Sequence, residues 1–261
     1  MNTMKSLKES VVNAMDGTDV ALFPFLPYIL QDMWEIGASP KVITELVRKH
    51  TRDYSHLNIL DLGCGKGAVS VRLAQELGCK CLGIDAIGEF IEEANKKAVE
   101  YGVAQSCRFE QGDIRKKIGE LPQFDVIVLG AVGPVFGDYY STLITLSKSL
   151  TENGVIVIDD GYIENESNFS DPLIQKRADV LRQISDADMH LLDETIISSD
   201  EMKDADVDIF KNLEKRCHEL METYPHKSTL FEKYLREQAE ENDVLETKMV
   251  CSTMVIGKEK H

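Results

Sequence analysis

Between residues 57 and 160, short apolar runs alternate with stretches whose apolar residues recur every three or four positions, the pattern of βα units around a parallel sheet. Asn58 to Leu62, Lys80 to Ile84, Arg108 to Gln111, Phe124 to Leu129 and Gly154 to Ile158 read as strands. Ala68 to Leu77, Glu89 to Tyr101 and Tyr139 to Leu150 read as the helices between them. Residues 1 to 55 hold no convincing strand. Val20 to Ile36 is too apolar and aromatic for a loop and reads as helix interrupted at Pro24 and Pro27; Ser39-Pro40 reads as an N-cap with proline in the first helical position, opening a helix that runs to His50. After Asp160 the chain turns acidic and helical, with helices at Leu173 to Ile184, Ser199 to Tyr224 and Ser228 to Glu241. Met189 to Ile197 reads as a strand, and Lys248 to Ile256 as a last strand returning antiparallel to it. The predicted fold is α/β, a doubly wound, mostly parallel seven-stranded sheet with an antiparallel last strand. It is read as one domain in three parts: an N-terminal helical lid (1–55), a cofactor-binding core (57–160), and helical cap insertions with the final strands (161–261).

Composition narrows the function. A formal charge of −16 repels a phosphate backbone, so no nucleic-acid partner is expected, and Arg115-Lys116-Lys117 reads as a short solvated cluster. There is no apolar run long enough to span a bilayer, and the first residues mix acids with bases and lack an apolar h-region, so no membrane partner and a cytoplasmic location are expected. Six scattered cysteines read as free thiols. Cys79 and Cys81 form a C-x-C that we read as turned to opposite faces of a strand, and with no second pair at zinc spacing no metal is expected. Nothing in the pattern specifies an oligomeric state.

The chemistry concentrates at Ile59 to Gly67, ILDLGCGKG: a strand, an acid at its end, alternate glycines, then a helix. Such a turn lets a ligand approach the backbone, and the helix behind it presents free N–H groups. Gly63, Gly65 and Ala68 also satisfy the loose dinucleotide spacing G-x-G-x-x-G/A, which leaves an NAD-dependent oxidoreductase as an alternative. Asp61 weighs against it, because a carboxylate beside a pyrophosphate is repulsive, whereas one beside a cationic ligand is attractive. Asp61 to Gly67 resembles motif I, (D/E)-x-G-x-G-x-G, of the class I, Rossmann-like S-adenosylmethionine-dependent methyltransferases of small-molecule type. Three further elements follow in family order. Asp85 of Gly83-Ile84-Asp85 ends the second strand 24 positions after Asp61 and matches the acid that takes the ribose hydroxyls, with Ala86 beside it. Asp113 and Ile114 resemble the pair that takes the adenine amino group and packs on the ring. Phe124 to Gly130 resembles motif IV, with Gly130 beside the cofactor. Asp125 sits at the strand's start, the wrong end for catalysis.

The resemblance implies S-adenosylmethionine as cofactor and methyl transfer to a small-molecule acceptor; a non-catalytic S-adenosylmethionine-binding protein is a further alternative. Gly130-Ala131-Val132-Gly133-Pro134 departs from the (D/N)-P-P-(Y/F) of enzymes that methylate nucleic-acid amino groups. Asp160 and Tyr162 end the fifth strand and are read as facing the acceptor in catalysis. Tyr28 and Trp34, in an aromatic cluster with Phe23 and Phe25, are read as acceptor-binding residues of the lid.

Overall fold

A computed structural model describes residues 5–258, apart from the side chains of residues 204–206. In chain order the elements are α1 (Leu7–Asn13), a 3-10 helix (Val20–Phe25), α2 (Leu26–Ile29), α3 (Pro40–His50), β1 (Asn58–Leu62), α4 (Ala68–Leu77), β2 (Lys80–Asp85), α5 (Gly88–Glu100), β3 (Cys107–Gln111), α6 (Ile114–Lys117), β4 (Phe124–Gly130), α7 (Tyr139–Leu146), β5 (Leu150–Tyr162), α8 (Arg177–Asp186), β6 (His190–Ile196), α9 (Ser199–Thr223), α10 (Ser228–Thr247) and β7 (Val250–Gly257). The described residues divide into two compact units, 5–34 with 197–249, and 35–196 with 250–258.

The second unit is built on a seven-stranded sheet of order β3-β2-β1-β4-β5-β7-β6. β1 to β5 are parallel, and β7 runs antiparallel to both β5 and β6. The central strands are continuous apolar runs because both faces are covered. On one face Leu60, Leu62, Ile127, Leu129, Ile156 and Ile158 join Leu143 and Leu146 of α7 and Val180 and Ile184 of α8 in a single buried cluster. Asp61 alternates with Leu60 and Leu62, and its carboxylate takes the hydroxyl of Ser70 in α4, so α4 covers the opposite face. At the amino end of the sheet, Asp125 accepts the backbone N–H of Asn58 (2.9 Å) and the hydroxyl of Thr151 (3.3 Å), tying three strand starts together as its position implied.

Several local expectations are corrected. Val20 to Ile36, read as helix interrupted at Pro24 and Pro27, is broken there but is less helical than read: it is a 3-10 helix containing Pro24, the four-residue α2 with Pro27 in its first turn, and turns, since Pro24 has no N–H to continue an α-helix. The helix expected from Leu173 begins at Arg177, after a loop in which Lys176 Nζ donates to the carbonyls of Glu164, Ser167 and Phe169. β5 extends to Tyr162, well past Ile158, because β7 continues to pair with it beyond the end of β4. Cys79 and Cys81 are two apart and so share one side: their sulfurs lie 3.8 Å apart. All six cysteines are free and buried.

In the first unit, Leu22, Leu26 and Ile29 are buried, and Phe25 meets the rings of Phe231 (5.1 Å between centroids) and Tyr224 (5.5 Å) edge-on. Arg216 of α9 holds Asp32 through two bonds of 2.7 and 2.6 Å. No helix among the described residues is long and apolar enough to cross a membrane. Phe231, fully buried beneath Phe25, anchors this unit. Phe231→Ala is expected to destabilise it by about 3–5 kcal/mol, read as faster amide exchange in α9 and α10 with the exchange of β1 to β5 unchanged.

Candidate active site

In an open α/β sheet a ligand has room at the carboxyl ends of the strands, where the strand order reverses. Here the reversal lies between β1 and β4, and the glycine turn follows β1 directly. The turn is fastened to the neighbouring strand. The N–H groups of Gly63 and Cys64 both donate to the carbonyl of Ile84, at 2.8 and 3.1 Å, and the N–H of Gly65 donates to the Asp85 carboxylate at 2.9 Å. The other oxygen of Asp85 accepts the N–H of Ile87 at 2.9 Å. The acid ending β2 therefore has a fixed orientation before any ligand arrives.

The glycines of the turn do different work. A methyl group at Gly67 would lie 2.8 Å from Phe109 and 2.9 Å from Ala94, so this glycine permits close packing of helix on sheet; one at Gly63 would strike Val132 at 2.7 Å. At Gly65 it would meet nothing within 4 Å. Gly65 thus presents bare backbone, at φ +51°, to open space, flanked by Asp61 and Asp85. Both carboxylates are buried. Burial pushes Asp61 up to about 6, aided by the negative charge of Asp85 and opposed by the bond from Ser70. Asp85 is also raised by burial, against the N–H groups of Ile87, Gly65 and Ala86. Among the described residues the bonds that hold the two carboxylates come from a hydroxyl and from backbone N–H groups, and Lys66 of the same turn is itself buried.

The end of β3 is tied to the same place: Gly112 N–H donates to the Asp85 carbonyl (2.8 Å) and Gln111 Nε2 to the Ala86 carbonyl (3.0 Å). Asp113 caps α6 through the N–H of Arg115 and forms an ion pair with its guanidinium, which holds its carboxyl below the usual range. Ile114 is buried in the core cluster. At the end of β4, a methyl at Gly130 would lie 2.8 Å from Ala38, and Ala131 takes a left-handed φ of +51° while its N–H donates to the Asp159 carbonyl.

β5 ends in two acids on opposite faces. Asp159 accepts the N–H of Ser39 and is pushed up to about 6 by burial. Asp160 is raised by burial and receives the hydroxyl of Tyr139, the first residue of α7, at 3.3 Å. Tyr162, two residues on, is fully buried; its hydroxyl contacts Arg177, which forks onto Glu194 at 3.0 and 2.9 Å, and burial pushes the phenol up to about 12. Asp61, Gly63, Gly65, Asp85, Ala86, Asp113 and Gly130 thus share the carboxyl end of β1 to β4. Tyr28 and Trp34 belong to the other compact unit, where the Tyr28 hydroxyl donates to Glu219 (2.7 Å) and Arg216 lies over its ring. Tyr139 and Val132 were not singled out from sequence, and Arg115, read there as part of a solvated cluster, is instead 15% exposed and paired with Asp113. Their importance arises from the left-handed turn at Ala131 and from side-chain pairing, neither of which has a periodic signal.

A family model described as a methyltransferase domain matches residues 53–260, most of the chain and all of the strand ends that form this site. The chain belongs to that family. Among relatives of this methyltransferase domain, the ubiquinone biosynthesis O-methyltransferase of Rickettsia canadensis is 32% identical over 117 residues, 44% of this chain and 48% of the relative. An uncharacterized methyltransferase of Bacillus subtilis is 26% identical over 49% of this chain and 48% of its own length. The chain thus spans about half the length of these curated relatives. In fold it is similar to a methyltransferase of Geobacter sulfurreducens crystallised with S-adenosyl-L-homocysteine (TM-score 0.75, 15% identity, 90% of this chain and 98% of that one). It is similar also to the [4+2]-cyclase SpnF (TM-score 0.72, 15% identity, 100% and 99%).

The two glycines at the turn should respond differently to the same change. Gly67→Ala adds a clash with Phe109 to left-handed strain and is expected to lower stability by about 2–4 kcal/mol, while Gly65→Ala adds strain alone, about 1–2 kcal/mol. Urea denaturation of the two variants measures the difference.

Proposed function

We propose that the chain transfers a methyl group from S-adenosylmethionine to a small-molecule acceptor and releases S-adenosylhomocysteine. The observation that carries this reading is the open face of Gly65, whose N–H is held by the buried carboxylate of Asp85, with the buried acid Asp61 at the end of β1 just before it. That arrangement fits a ligand bearing an ammonium and a sulfonium together with a ribose, and it disfavours a pyrophosphate, so an NAD-dependent oxidoreductase is not favoured. When bound, the cofactor supplies a methyl group that is already electrophilic, so the protein's task is alignment and solvent exclusion.

The chain's own residues divide that task. Asp61 places negative charge beneath the turn, Asp85 offers its remaining lone pairs to the ribose hydroxyls, and Asp113 with Ile114 receives the adenine. Gly130 keeps the end of β4 free of a side chain. On the acceptor side we assign Asp160, held by Tyr139, with Tyr162 one pleat further along the same face of β5. The overall charge of −16 supports a small-molecule acceptor over a nucleic acid, and six free cysteines fit the reducing cytoplasm.

Titration calorimetry with S-adenosylhomocysteine is expected to show micromolar binding, weakened about tenfold or more by Asp85→Ala. Affinity should fall as pH drops from about 7 to about 5, because Asp61, pushed up to about 6, gains a proton and loses the charge that attracts a cation. No binding at any pH would overturn the reading. Mass-spectrometric screening of metabolites for gain of one methylene mass, with wild type and Asp160→Asn in parallel, identifies the acceptor and tests Asp160.

A further inference from the structure

We propose that Arg115 is the positioning residue that makes Asp113 selective for a 6-amino purine, by holding its carboxylate so that a single acceptor position is left for the base. The inference rests on the cofactor reading above and adds a residue and a specificity to it.

An ionised carboxylate has about four acceptor positions, two on each oxygen. Arg115 grips both oxygens of Asp113 with its fork, Nε to Oδ1 at 2.9 Å and Nη2 to Oδ2 at 2.9 Å, and its own backbone N–H takes a further position on Oδ1 at 3.1 Å. Three positions are filled, and the fourth lies on Oδ2. The pair is largely shielded, at 9% exposure for the Asp113 side chain and 15% for Arg115, so the fork is not exchanged freely for water. The position is also fixed relative to the rest of the site. Gly112, immediately before Asp113, bonds to the Asp85 carbonyl, and Ile114, immediately after, is buried in the core.

A guanidinium stays charged at every accessible pH, so it keeps Asp113 an acceptor and never a donor. One acceptor position facing a base recognises one donor. The exocyclic amino group of adenine supplies it, whereas a 6-oxo purine turns a carbonyl oxygen toward the carboxylate and is repelled. Lysine in place of Arg115 would preserve the charge but not the two-point grip.

The test compares S-adenosylhomocysteine with S-inosylhomocysteine by titration calorimetry on the full chain. Wild type is expected to prefer the adenosyl compound by about 10- to 100-fold. Arg115→Ala should reduce that preference to within about threefold, and Arg115→Lys should give an intermediate value. A purely structural role for Arg115 would lower both affinities together and leave their ratio unchanged; that result, or equal binding of both compounds by wild type, overturns the proposal while leaving the cofactor reading intact. Binding of neither compound by wild type would overturn the cofactor reading itself. Thermal denaturation of each variant confirms that it is folded.

Discussion

The site depends on one fastening, the attachment of the glycine turn to β2. Gly63 and Cys64 share the carbonyl of Ile84, and Gly65 is held by the carboxylate of Asp85, so the turn cannot move without β2. The bonding fixes three things at once. It sets where α4 begins, it leaves the Gly65 backbone facing space, and it orients Asp85 through the N–H groups of Gly65, Ala86 and Ile87. The parallel ladder from β3 to β5 then carries this fixed point across the sheet, which is why acids far apart in sequence end at one edge. Asp85 is therefore both a strut and a proposed ligand, and the two roles constrain each other: a side chain that bound ribose but could not accept from Gly65 would loosen the surface on which the cofactor is expected to lie.

The acids of the sheet unit fall into two groups. Asp113, Asp193 and Glu194 are matched by Arg115, by Lys49 and His50, and by Arg177, at distances of 2.6 to 2.9 Å. Asp61, Asp85, Asp159 and Asp160 are buried and have hydroxyl or N–H donors in place of cations, and each is raised accordingly. Such groups work against stability. A folded-state pKa raised above the unfolded value favours the fold only below about pH 4, and the advantage is lost as pH rises through about 6 for Asp61 and Asp159. Groups that destabilise at neutral pH and gather at one edge of a sheet are what a site for positively charged ligands requires.

Legibility in the sequence followed periodicity and fixed spacing. Continuous apolar runs located β1 and β4 because both faces are buried, and Asp61, Gly65 and Asp85 were found because strand, acid and turn recur at set intervals. The errors have local causes. Two prolines made a 3-10 segment out of an apparent helix at Val20, and the reach of β5 to Tyr162 depended on β7, almost a hundred residues away, which no local window contains. Cys79 and Cys81 were misassigned although the two-residue period of a strand places them together. Tyr139 could not be found by pattern, since its partner Asp160 is 21 residues on, near the far end of β5, and no local window holds both.

The cofactor end is specified by backbone: glycines, strand ends and carboxylates whose positions follow from the ladder. The unit formed by residues 5–34 and 197–249 is not part of any ladder. Its longest piece is inserted between β6 and β7, and those strands pair directly with each other, so the sheet closes whatever the insert contains. An insert free of register constraints can change length, charge and aromatic content without breaking a strand.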